Sequence, residues 1–183
     1  MKKSTLIYGI IGGLITGAAI VLPAYINPDL YDPTQAETGD STQVVGYSIM
    51  FIASILTIHL GIRHFRNKDN NGFISFGKGF KAGALIVIIT FVTYTLISGI
   101  GFYMAFPEWI DQYVTAQIEA IQNNPKLSAT DKTTQIDQIK SFSDMPALAL
   151  AAFEALPMLF FGLIVSVISA IILKNKKENS PAV

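Results

Sequence analysis

The chain has 183 residues, 51% of them hydrophobic and 14% charged. Soluble domains carry about 25% charged residues, so this composition excludes an ordinary soluble globule and points to a membrane protein. The formal net charge is zero and there is no cysteine, which removes disulfide frameworks, thiolate nucleophiles and Cys-based metal sites. With two histidines, a His-rich metal site is not expected either.

The first apolar run extends from Leu6 to Ile26 behind Lys2 and Lys3. A helix needs about 20 apolar residues to cross the hydrocarbon core, and this run supplies them. A signal peptide is the rival reading, but Leu22 and Ala24 make a poor small-x-small exit and Thr16-Gly17-Ala18 lies inside the run. The run is therefore read as a retained helix. Gly9, Gly13 and Gly17 recur every four residues and share one face, so another helix can approach closely there. That face suits either a contact between copies of the chain or packing within one bundle.

A polar segment from Asn27 to Gln43 follows, with Asp29, Asp32, Glu37 and Asp40 and no Lys or Arg. Val44 to Ile62 is the second apolar run. The stretch Arg63 to Gly83 holds Arg63, Arg66, Lys68, Lys78 and Lys81, and reads as a cytoplasmic turn between two spans. Phe73, Phe76 and Phe80 with these lysines make an amphipathic lead-in to the third run, Ala82 to Phe106, which Pro107 ends. The last run, Pro146 to Leu173, is followed by Lys174, Lys176 and Lys177. The expected plan is one integral membrane domain over residues 1–183, all-α, with spans at about 6–26, 44–62, 82–106 and 146–173.

Ten of the thirteen Lys and Arg lie at the N-terminus, in the central turn and in the tail. The two other connections hold Lys126, Lys132 and Lys140 against many carboxylates. Basic residues stay in the cytoplasm, which places both termini there and implies a multi-pass membrane protein.

The outer segment 107–144 is patterned for helices. Ile110, Val114, Ile118 and Ile121 form one stripe. Pro107 suits a helix start and Asn123-Asn124-Pro125 a stop. Ser128 with Asp131 reads as a capping box for a second helix carrying Ile136, Ile139 and Phe142. An extracytoplasmic helical hairpin is expected between the third and fourth spans, with Trp109 and Tyr113 as interfacial anchors.

Glu154 is the carboxylate deep in an apolar run. If the hydrocarbon begins near Ala147, it lies about 10 Å below the outer surface. An ionised side chain there costs about 2.5 kcal/mol or more, so the group must be protonated, hydrogen-bonded or facing water. Pro157 deprives the Phe153 carbonyl of its helical partner and predicts a kink beside the carboxyl, with room for a small water-filled pocket. Thr90, Tyr94 and Ser98 share a face of the third helix that leads toward Glu154. Two readings fit: a proton-binding or solute-binding site at Glu154, Ser98, Tyr94 and Thr90, or hydroxyls and a carboxyl that clamp the bundle. His59 and His64 do not have the spacing of a zinc helix and are read as interfacial side chains. No nucleophile motif, phosphate loop or nucleic-acid-binding pattern occurs, so no catalytic, cofactor-binding or metal-binding residues are assigned.

The stretch Gly72-Phe73-Ile74-Ser75-Phe76-Gly77-Lys78-Gly79-Phe80-Lys81-Ala82-Gly83 resembles the central motif of a bacterial family catalogued as domain of unknown function 4199. Gly162 to Lys174 resembles its last helix, and the step from Glu154 to Pro157 resembles the approach to that helix. The resemblance covers nearly the whole chain and implies an integral membrane protein without supplying an activity. The expected function is a non-enzymatic membrane component, embedded in the lipid bilayer, that interacts with other membrane proteins or with itself. The alternative is a small proton-coupled transporter or channel built on Glu154.

Overall fold

The computed structural model describes residues 2–26 and 41–175. Among the described residues six α-helices are present: α1 (Lys3–Ile26), α2 (Ser41–His64), α3 (Phe76–Ser98), α4 (Pro107–Asn123), α5 (Ala129–Ser143) and α6 (Ala147–Leu173). Two π-helical turns extend α2 and α3, at Phe65–Asp69 and Gly99–Tyr103. No strand forms among the described residues beyond one isolated backbone bridge between Ile74 and Asn175.

Four stretches, Lys3–Ile26, Gly46–Asp69, Phe76–Tyr103 and Ala147–Leu173, are long and apolar enough to cross a membrane. Leu14, Ile52, Ile88, Phe160 and Ile164 are exposed on their outer faces, while Thr16, Ser98 and Ser166 are fully buried. Apolar outside and hydroxyl inside reverses the soluble pattern. It is the character of a multi-pass membrane protein, in which lipid takes the apolar faces and each helix satisfies its own backbone.

The third helix starts at Phe76, six residues before the expected span at Ala82. Ser75 is the reason: its backbone is extended and its hydroxyl accepts from the Lys78 backbone N–H at 3.4 Å, which caps the first turn. Just upstream Asn71 and Gly72 adopt φ of 52° and 85°, a left-handed turn that reverses the chain. Pro157 does not end α6, which continues as helix to Leu173.

α3 packs between α1 and α6, and α2 lies against both of these and against α3. The α1–α3 contact is the closest. A Cβ added at Gly9 would sit 2.5 Å from Ile89 Cβ, at Gly13 2.3 Å from Thr93 Cβ, and at Gly17 2.7 Å from Ile97 Cγ2. The glycine groove foreseen on α1 is therefore filled by α3 of the same chain. On the other side of α3, Gly83 faces Ser166, and Gly162 of α6 faces Val87. Small residues at such crossings let dispersion and hydroxyl contacts replace the hydrophobic drive that lipid removes.

One apolar cluster, Ile58, Ile62, Ile74, Ile86, Val87, Val165 and Leu173, fills the basic half of the bundle. At that end Ile74 and Asn175 exchange backbone bonds of 3.0 and 2.9 Å, and Arg66 donates to the Leu173 carbonyl at 3.4 Å. Ser4 also donates to the Asp69 carboxylate. The start of α1, the central turn and the end of α6 are thus tied together.

At the opposite end, Ser128 accepts from the Asp131 N–H at 3.2 Å and donates to its carboxylate at 2.6 Å, so α5 begins where the expected cap lies. Lys132 donates to the Gln122 carbonyl at 2.7 Å, joining α5 to the end of α4. Val114 and Ile121 of the α4 stripe are buried.

Candidate functional site

α6 buries Ala151 and Ala155 against α3. Glu154, one residue from Ala155, falls about 100° around the helix, at the edge of that packed face. It is exposed on the lateral surface of the bundle. The carboxylate nevertheless bends back to the protein. Tyr103 Oη donates to Glu154 Oε2 at 3.0 Å, and Tyr94, 1% exposed, lies within electrostatic range of the same carboxylate. Tyr47 of α2, half exposed, lies within electrostatic range of the same group.

The π turn makes this convergence possible. Thr90, Tyr94 and Ser98 step by four along α3, and Tyr103 follows after five. In an unbroken α-helix, residues nine apart point about 180° away from each other. The turn Gly99–Tyr103 absorbs one extra residue, marked by the bond of 3.1 Å from the Met104 N–H to the Gly99 carbonyl. Tyr103 then behaves as if eight residues from Tyr94, about 80° round, and reaches the same carboxylate. The turn begins where α3 presses on the start of α6: a Cβ on Gly99 would lie 2.6 Å from Leu148 Cδ2.

The four expected site residues separate into two groups. Glu154, Tyr94 and Ser98 come together. Ser98 is fully buried and its hydroxyl makes no hydrogen bond of normal geometry. Thr90 instead turns to α1 and donates to the Gly9 carbonyl at 3.1 Å, so it joins helices rather than lining a path to Glu154. A small pocket between α2, α3 and α6 lies deeper, bordered by Ser54, Thr90, Phe91, Met158 and Gly162. It does not include Glu154.

Tyr103 is the member that sequence reasoning left outside the site. Its signal was the five-residue step from Ser98 across Gly99 and Gly101, a spacing that only a π turn aligns.

Above Glu154 the rings form a layer. Tyr103 and Trp109 have centroids 6.2 Å apart at 72°, and Trp109 stacks on Tyr113 at 5.2 Å and 15°. Phe102 contacts Tyr103, Phe106 and Trp109. Phe142 of α5 packs on Phe153, next to Glu154, at 5.5 Å. Among the described residues no Lys, Arg or His acts on Glu154, and the segment 27–40 contains no Lys or Arg. No group of His, Asp and Glu suited to a metal ion occurs among the described residues. His59, expected at the interface, bridges α2 to α6 through Nδ1 and Ser169 Oγ at 3.3 Å, and the His64 ring lies beside Tyr8.

The family described as "Protein of unknown function (DUF4199)" matches residues 7–175. No curated protein and no solved structure matches the chain.

Proposed function

Since the chain belongs to the DUF4199 family of proteins of unknown function, we propose its role from the Glu154 site: a non-enzymatic component of a bacterial inner membrane that binds other membrane proteins. The observation that carries this is the position of the carboxylate. It stands on the lateral surface, flanked by the exposed side chains of Phe153 and Leu156, and its geometry is fixed by Tyr103. A polar group held at the lipid-facing surface costs free energy unless something completes its bonds, so the site suits recognition from the side. The glycine groove, already filled by α3, leaves this flank as the docking face.

In the same reading both termini are cytoplasmic, on the strength of the Lys and Arg bias. α4 and α5 then form an extracytoplasmic helical hairpin, and the rings of Trp109 and Tyr113 sit at headgroup level.

One observation favours a second reading, proton-coupled transport. Tyr94 and the fully buried Ser98 lie one helical turn apart on α3, behind the surface carboxylate, a short polar step toward the bundle interior.

A photocrosslinking residue at Phe153, in native membranes, tests the first reading. A reproducible different membrane protein should be captured by the wild type and lost in Glu154→Gln. Capture unchanged by Glu154→Gln, or none, overturns it. Liposomes carrying wild type or Glu154→Gln test the second, which requires proton flux in the former and its loss in the latter.

A further inference from the structure

Glu154, Tyr103, Trp109 and Tyr113 define a chemistry that the partner-binding reading leaves unspecified. An ionised carboxylate offers about four lone-pair positions, and the hydroxyl of Tyr103 occupies one. What completes the carboxylate must bring N–H donors and positive charge, and no basic side chain acts on it among the described residues. The rings of Tyr103, Trp109 and Tyr113 adjoin it in series, partly exposed, and aromatic faces attract cations through their quadrupole. An ammonium group satisfies both demands. A quaternary ammonium would use the rings alone; a primary one also donates to the carboxylate.

The direction of access selects the source. Glu154 is exposed on the side of the bundle, and Leu148, Phe153 and Leu156 around it are exposed apolar side chains. The stretches that flank it are long and apolar enough to cross a membrane. A ligand reaching Glu154 from that side carries acyl chains alongside α6 and its charged group at the aromatic layer. We propose that this site binds the primary ammonium of an outer-leaflet aminophospholipid, of the phosphatidylethanolamine class. The inference rests on reading Glu154 as a binding determinant at the outer end of membrane-spanning helices, and it deepens that reading by naming a resident occupant.

The test uses the full chain in nanodiscs of phosphatidylglycerol with graded phosphatidylethanolamine or phosphatidylcholine. Trp109, the single tryptophan of the chain, sits in the ring series and reports through its emission; native mass spectrometry counts retained lipid. Phosphatidylethanolamine should shift the emission and stay bound through detergent release, and phosphatidylcholine should not. Glu154→Gln should weaken retention about tenfold, the factor for one lost charge-assisted bond. Tyr103→Phe, which keeps the ring and loses the hydroxyl, should weaken it less. Equal responses to the three lipids, or Glu154→Gln retaining phosphatidylethanolamine as the wild type does, overturns the proposal. So does free ethanolamine binding as tightly as the lipid, or a partner protein's lysine found crosslinked at Glu154 in place of lipid. Lipid selectivity lost with Glu154-dependent protein capture intact sinks this inference alone; selectivity present with no protein captured sinks the partner reading alone.

Discussion

Tyr103 Oη donates to Glu154 Oε2 at 3.0 Å, joining the end of the third span to the sixth helix through a bond that exists because α3 gives way to a π turn. Removing one side of a buried or partly buried polar pair costs more than its net worth, since the other side is left unmatched. The cycle Tyr103→Phe, Glu154→Gln and the double variant should show a coupling of about 0.5–3 kcal/mol. Thermal unfolding in detergent measures it, and additive effects of the two single variants would mean that the pair does not act as a unit.

Deleting Ile100 should restore α-helical register across residues 99–103. That leaves Tyr103 eight residues from Tyr94 in an unbroken helix, still about 80° round, so its hydroxyl stays on the carboxylate. In this background Tyr103→Phe should destabilise as much as it does in the wild type, measured by thermal unfolding in detergent. Loss of that effect in the deletion variant would show that the π turn does not absorb one residue of register.

Gly13 and Gly77 make a matched comparison. A Cβ at Gly13 would meet Thr93 Cβ at 2.3 Å and the Thr90 carbonyl oxygen at 2.9 Å, whereas nothing lies within 4 Å of one at Gly77. Gly13→Ala must push α1 from α3 and should destabilise by about 1–3 kcal/mol. Gly77→Ala, exposed in the first turn of α3, should be neutral or stabilising by up to about 1 kcal/mol through lower unfolded-state entropy. Unfolding midpoints of the two variants in one detergent decide this; similar values would contradict the close α1–α3 crossing.

Thr90→Val removes the bond to the Gly9 carbonyl while keeping the side-chain shape, and should cost about 0.6–2 kcal/mol. Thr57→Val, whose hydroxyl donates to the Ala53 carbonyl of its own helix, should cost less, because that bond joins no neighbouring helix. Proteolytic resistance of the two variants in vesicles gives the order.

A reporter enzyme fused after Lys177 should be active only when the cytoplasmic form is assayed. Activity restricted to the outer side would reverse the orientation, and with it the leaflet in which the Glu154 site stands.

Much of the architecture was legible in the sequence. Long apolar runs, basic connections and Ser128–Asp131 are local signals, because the free energy of placing a segment in lipid and the bonds of a helix cap depend on neighbours within a few residues. The same local logic read Glu154 as the polar group in need of partners. What stayed hidden depends on which helices meet. The spacing of Gly9, Gly13 and Gly17 marked a close crossing but not its occupant, and only the packed chain seats Ile89, Thr93 and Ile97 there. Thr90 looked like part of a polar path and is instead bonded to α1, because a hydroxyl takes whichever carbonyl the neighbouring helix brings. Tyr103 was not placed in the site, because only the packed helices show Gly99, pressed against Leu148, opening α3 into a π turn. Composition and periodicity thus determined that the chain is helical and suited to a membrane, since these follow from transfer of each segment into lipid. The tertiary structure decided which side chains surround the carboxylate, since that follows from helix crossings and from one residue of added register.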